Sequence, residues 1–163
     1  MIFIGIDPGA AGAIAYLDAS GGLVCVTDMP VVEVQVGKTE RRRVSATMLA
    51  QLLAEHSLRV QMVVLEKVGG ITGQSASAAF TFGYGAGIVE GVVSALQMPV
   101  ALVTPQAWKK SAGIATDKGA AREAAMRLWP SQAHLFARAK DDGRAEAALL
   151  ARHGWQAVAR AAA

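Results

Sequence analysis

The chain opens on an almost wholly apolar run, "MIFIGI", in which Ile2, Ile4 and Ile6 alternate with Phe3 and Gly5, and it stops abruptly at Asp7-Pro8-Gly9. Such a run predicts a β-strand, and Asp-Pro-Gly predicts a turn. Apolar runs at about 12–18 and 23–28, joined through "DASGG", predict two more strands, and links this short join antiparallel neighbours. Residues 33–43, "EVQVGKTERRR", read as a basic loop. "VSATMLAQLLAEHSL" then sets Met48, Leu49, Leu52 and Leu53 at helical spacing. "VQMVVLEKV" is a dense β-branched run ending in Glu66, and its continuous hydrophobicity predicts a parallel strand covered on both faces.

Beyond a Gly-rich stretch, residues 75–97 predict a long helix full of Ala and Gly. "PVALVTP" predicts a strand, and "PQAWKKSAG" a short helix with Pro105 in its first turn. "DKGAAREAAMRLWP" predicts a helix with Asp117 at its start and Pro130 after its end, and a last helix spans about 142–160. The order βββ-α-β-α-β-α-α predicts one α/β domain over 1–163. Its core is a mixed five-stranded sheet, three antiparallel strands then two parallel, flanked by helices. The Ala-rich tail 156–163 is expected to fray.

Composition narrows the class. Of 163 residues, 53% are hydrophobic and 18% charged, which suits a packed core and not a disordered chain. The apolar stretches are interrupted by Gly, Asp, Glu or Lys before the ~20 residues of a membrane span, so no membrane partner is expected. No basic region precedes the first apolar run, so no secretion signal is expected. The single cysteine, Cys25, cannot build an intrachain disulfide framework or thiolate cluster, and a reducing cytoplasm is the expected setting. The net charge of +3 is modest, but its distribution is uneven. Lys38, Arg41, Arg42 and Arg43 crowd "GKTERRR", and Lys109, Lys110 and Lys118 punctuate a later segment. Several basic patches favour a polyanion such as nucleic acid.

The acids carry the chemistry. Asp7 and Glu66 each end an apolar strand, where a hydrophobic residue would pack better; in mixed α/β sheets, functional groups gather at strand ends. If those two strands are parallel neighbours, the carboxylates lie side by side, an unfavourable arrangement unless a cation joins them. Asp141, Asp142 and Glu146 form a third acidic group at the start of the last helix. Singly, each has a plain structural reading as a turn residue, a strand end or a helix-start acid. Together, carboxylate-only ligation selects a hard ion, Mg²⁺ or Mn²⁺. Two such ions about 4 Å apart can clamp a scissile phosphate.

With these residues the chain resembles the RuvC-type Holliday junction resolvases of the ribonuclease H-like superfamily. The resemblance runs from "GIDPG" through "VLEKV", "SAAFTFGYGAGIVEGVVSAL" and "PVALVTPQAWKK" to "DDGRAEAALLA". Its details "FGYG", "TPQAWKK" and "DGRAEA" look closest to the phage-borne and plant-chloroplast branch. It implies a homodimeric endonuclease that nicks four-way DNA junctions in symmetric pairs with two Mg²⁺ per site, Mn²⁺ substituting. The setting would be the host bacterium's cytoplasm if a phage encodes it. Asp7, Glu66 and Glu146 match three of the family's four acids. For the fourth, helical i,i+4 geometry favours Asp142, whereas the motif D-x-G-R-A-E favours Asp141, which is carried here as the expected ligand. Lys109 and Lys118 match basic residues that approach the scissile phosphate. The helix 75–97 matches the dimer helix, although tight packing on its own sheet would equally account for Gly83, Gly85, Gly87 and Gly91. Lys38, Arg41, Arg42, Arg43 and Lys110 are read as further DNA contacts. An aromatic that the typical bacterial enzyme carries after the second acid's strand falls here at Gly69 and Gly70, whose backbone is expected to approach DNA instead. Trp108, Trp129 and Trp155 are read as packing residues. The rival readings are a junction-binding protein that does not cut, a nuclease of RNA-containing duplexes, and an actin-like ATP-binding domain, which needs more chain than this.

Overall fold

The computed structural model describes residues 1–67, 69, 73–115 and 119–162. Three strands, β1 (Ile2–Ile6), β2 (Ala13–Asp18) and β3 (Leu23–Asp28), form the antiparallel meander, and β6 (Val60–Glu66) and β7 (Val100–Val103) lie parallel to β1. The sheet order is β3-β2-β1-β6-β7, which makes β1 and β6 the central parallel pair. Their register slips by one residue between Ile2 and Phe3, where Gln61 is extra, and then runs evenly to Ile6 opposite Leu65.

Side-chain alternation sorts the sheet into two unlike faces. Phe3, Ala13, Ala15, Leu17 and Val64 face α5 (Asp142–Ala161), α4 (Ala120–Leu128) and Trp108 of α3 (Pro105–Ala112). Ile4, Ile6, Ile14, Tyr16, Val63 and Leu65 face α1 (Ala46–Ala54) and α2 (Ala76–Ala95), which supply Leu49, Leu53, Val89 and Val93. The first face carries small residues because α5 lies almost on the strand. A Cβ on Gly5 would overlap the Ala147 carbonyl oxygen and the Ala151 amide, and one on Gly154 would lie 2.5 Å from a Val64 methyl.

Three sequence expectations change. Residues 33–43 are not a loop: β4 (Val31–Val36) and β5 (Thr39–Val44) pair as a separate hairpin, turned at Gly37 with φ of +62°. The alternation of Val32, Val34 and Val36 was the strand signal, masked by the polar residues between them and by the arginine run. The Ala-rich tail, expected to fray, is helical: α5 continues to Ala161, with Trp155 and Val158 packed on the core and the Trp155 indole N–H donating to the Ala19 carbonyl. In α4, Gly119 is the N-cap; Asp117, expected there, lies outside the described residues. In addition, α2 is long and apolar enough to cross a membrane by length and composition, with mean hydropathy 1.2, because its glycines barely lower the average. One side of it is nonetheless buried in the domain, through Gly85, Val89 and Val93.

The contact of α5 with β1 leaves no room for even a methyl group at position 5. Gly5→Ala is expected to destabilise the fold by about 3 kcal/mol or more, since the obstructing atoms are backbone. Urea denaturation of both proteins would show this as a lower midpoint, and an unchanged midpoint would refute it.

Candidate active site

The central strands deliver two carboxylates to one place. Asp7 and Glu66 sit at the carboxyl ends of β1 and β6, one residue beyond the paired Ile6 and Leu65. By alternation both fall on the face covered by α5. Helix α5 begins directly against the Asp7 turn: a Cβ on Gly143 would lie 2.9 Å from Asp7 Oδ2 and 2.8 Å from the Ala11 carbonyl oxygen. One helical turn further along α5, Glu146 comes into the same field.

Burial and mutual repulsion shift two of these acids. Asp7 is pushed up to about 6, chiefly by loss of water on burial, against a hydrogen bond from the Gly9 N–H and with added repulsion from Glu66. Glu146 is pushed up to about 7 by burial and then by the charges of Asp7 and Glu66, with Lys109 opposing and Asp142 adding. Burial and neighbouring negative charge thus raise the proton affinity of Asp7 and Glu146.

The remaining partners hold these acids in place. The Trp108 indole N–H donates to Glu66 Oε1 at 2.8 Å, and Lys109 Nζ lies 5.3 Å from the centre of the same indole. The tryptophan is fully buried, as a packing residue should be, yet it also orients an acid. Its place one residue before Lys109 was the available signal for that role. Asp142 accepts a 2.7 Å hydrogen bond from Arg122 Nε of α4.

Asp141, the expected fourth ligand, lines the same groove as Ala11 and Gly12 and is engaged by Arg138. It is 1% exposed and accepts from the Arg138 backbone N–H and from its guanidinium at 2.8–3.2 Å, capping the short turn before α5. Those hydrogen bonds hold it below the usual carboxylate range. Asp142, four residues before Glu146 on α5, shares a helix face with it and adds to its repulsion.

Of the other candidates, Lys109 joins the acids. Lys38 is exposed at the turn of the hairpin, Arg41, Arg42 and Arg43 are exposed along β5, and Lys110 and Gly69 are exposed. Gly70 and Lys118 lie outside the described residues. Arg42 shares with Arg138 and Lys140 an open groove of about 240 Å³ that begins at Ala11 and Gly12, beside the acids.

Among the described residues no three acidic, imidazole or thiol side chains are drawn together as a ready-made metal cage. The chemistry of the donors still fits a hard divalent cation: oxygen-only carboxylates, held on rigid elements and mutually repelling, gain most from a shared positive charge.

A mixed five-stranded sheet with carboxylates at the ends of its two central strands, faced by an acid on the last helix, defines a ribonuclease H-like fold. The chain is similar in structure to RuvC of Thermus thermophilus in complex with a Holliday junction substrate, with a TM-score of 0.64 and 16% identity over 98% of this chain and 96% of that one. A second structure of Thermus thermophilus RuvC matches with a TM-score of 0.54 and 16% identity, covering 98% and 97%. No family model matches the chain, and no curated protein matches it.

Asp7 and Glu146 hold protons more tightly in the folded chain than carboxyls do in an unfolded one, which titrate near 4. Their contribution to stability is therefore lost as pH rises from about 4 through 7. His153, lowered by burial, works in the opposite sense, so the comparison must be made with a carboxyl variant. In EDTA, Asp7→Asn is expected to melt above the wild type at pH 8 and by a clearly smaller margin at pH 5. Mg²⁺ or Mn²⁺ at pH 8 should raise the wild type more than the variant; equal melting throughout would contradict the repulsion.

Proposed function

We propose that the protein is a metal-dependent endonuclease that resolves four-way DNA junctions by paired nicks. The observation that carries this reading is the convergence of Asp7, Glu66 and Glu146, beside Lys109, on a fold shared with a junction-bound RuvC. Asp142 is the fourth acid in this reading, and Asp141 is a structural cap. The segments "FGYG" and "DGRAEA" support a place in the phage-borne and chloroplast branch.

Divalent ions held by these carboxylates would supply an activated water and neutralise charge on the scissile phosphate. The chain's own residues do the rest. Trp108 fixes the direction of Glu66, so that its free oxygen stays turned toward the site. Lys109 adds an ammonium where charge builds on the phosphate oxygens. Glu146, with its raised proton affinity, is suited to hold or release a proton near neutral pH. Arg42, Arg138 and Lys140 offer contacts to the flanking backbone, which position DNA without reading its sequence.

A junction has near-twofold symmetry, so two sites related by a dyad suit it. Helix α2 offers the surface for such a pair. Among the described residues, Cβ atoms on Gly83, Gly87 and Gly91 would meet nothing within 4 Å, unlike one on Gly85, which sits against Val44 and the Pro8 carbonyl. Gly83 and Gly87 border, with Ala86 and Leu102, an open groove of about 340 Å³ that reaches Glu66. Sedimentation is expected to give a dimer, and Gly87→Trp a monomer; a monomeric wild type would overturn the pairing.

The test of function is cleavage of a labelled mobile four-way junction in Mg²⁺ or Mn²⁺. Symmetric paired nicks are expected from the wild type. Asp7→Asn and Asp142→Asn should each lose at least ~100-fold in rate while still binding, because a metal contact is worth several kcal/mol. Asp141→Asn should instead lose about 1–3 kcal/mol of stability. Tight binding with no cutting would indicate a junction-binding protein, and cutting of RNA–DNA hybrids alone a ribonuclease.

A further inference from the structure

The first turns of α2 and the β4–β5 hairpin build a surface that the carboxylates do not account for. Phe80 is 72% and Tyr84 46% exposed, a costly placement for two large rings. One helical turn apart, they stack on each other with centroids 6.1 Å apart and planes 25° apart. The Arg43 guanidinium carbon lies 5.1 Å from the centre of the Tyr84 ring. Val34, Val36, Arg41 and Arg42 complete an open groove of about 140 Å³ along the same rings. No salt bridge among the described residues engages Arg41, Arg42 or Arg43.

The position of this surface ties it to the acids. Gly85, next to Tyr84, packs against the Pro8 carbonyl and the Val44 side chain, and Gly9 faces the Phe82 ring. The turn that carries Asp7 and the helical turn that carries Tyr84 are thus in direct contact.

We propose that Phe80 and Tyr84, flanked by Arg41 and Arg43, form a platform on which an unpaired base of the bound DNA stacks while the arginines take its neighbouring phosphates. This rests on the nuclease reading and deepens it. Exposed aromatic faces and adjacent guanidinium groups match a base and a polyanionic backbone together. A second copy of the chain seated on Gly83, Gly87 and Gly91 would border these rings at the next turns of α2, and extending that symmetric contact over them would bring two runs of three arginines together. Bases inside a duplex have no free face, so the platform favours junctions, whose centre can open, over linear DNA.

The experiment is binding in EDTA, where nothing is cut, to a four-way junction carrying 2-aminopurine at the branch point and to a linear duplex. The variants are Phe80→Ala/Tyr84→Ala and Phe80→Leu/Tyr84→Leu, the second keeping apolar bulk without an aromatic face. Both are expected to weaken junction binding about tenfold or more while duplex binding changes less than about threefold. The wild type should change the 2-aminopurine fluorescence on binding, and the variants should lose that change. Junction binding by the wild type with no fluorescence change, or equal losses on junction and duplex, would overturn the platform and leave the nuclease reading standing. A dimer-to-monomer shift on sedimentation with an unaltered base signal would assign the rings to a contact between copies instead. A wild type that binds neither DNA would overturn both readings.

Discussion

The structure depends on how closely α5 lies on β1. Gly5 admits the helix backbone at the middle of the strand, and Gly143 admits its start beside Asp7. Without that approach, Glu146 would stand a side chain's width further from the strand-end carboxylates. The alanines of the same interface, Ala13, Ala15, Ala145, Ala147, Ala148 and Ala151, serve the same end. They bury little area each, so this face gives up some hydrophobic stabilisation relative to the Ile- and Leu-rich opposite face. The loss is spent on proximity.

Much of this was legible in the sequence. The strand meander, the two parallel strands and the flanking helices follow from period-two and period-3.6 patterns, and Asp7 and Glu66 stood out because each breaks an apolar run at its end. The hairpin did not, since Glu33, Gln35 and Lys38 dilute the valines and the arginine run resembles a solvated loop. The last helix was legible to about residue 160; that its Ala-rich end packs was hidden because alanine repeats carry no apolar stripe, and Trp155 and Val158 are what tie that end to the core.

The acids show where one-dimensional reading stops. Adjacent residues on the same helix start, Asp141 and Asp142, differ in environment: one is buried under Arg138, the other is half-exposed and paired with Arg122 of α4. A motif places both at the same address, and only the cap geometry separates them. Trp108 is a similar case, a core residue by burial whose single polar atom is directed at Glu66.

The one-residue slip between β1 and β6 has a further consequence. It lies at the entry of β6, before the rungs that lead to Asp7 and Glu66. Because side chains alternate with a period of two, an odd change in length upstream would otherwise turn Glu66 to the wrong face. The slip acts as an expansion joint: the connection after α1 can gain or lose a residue there while the parity of the later rungs is kept. Variation in that connection is thereby decoupled from the position of the acid.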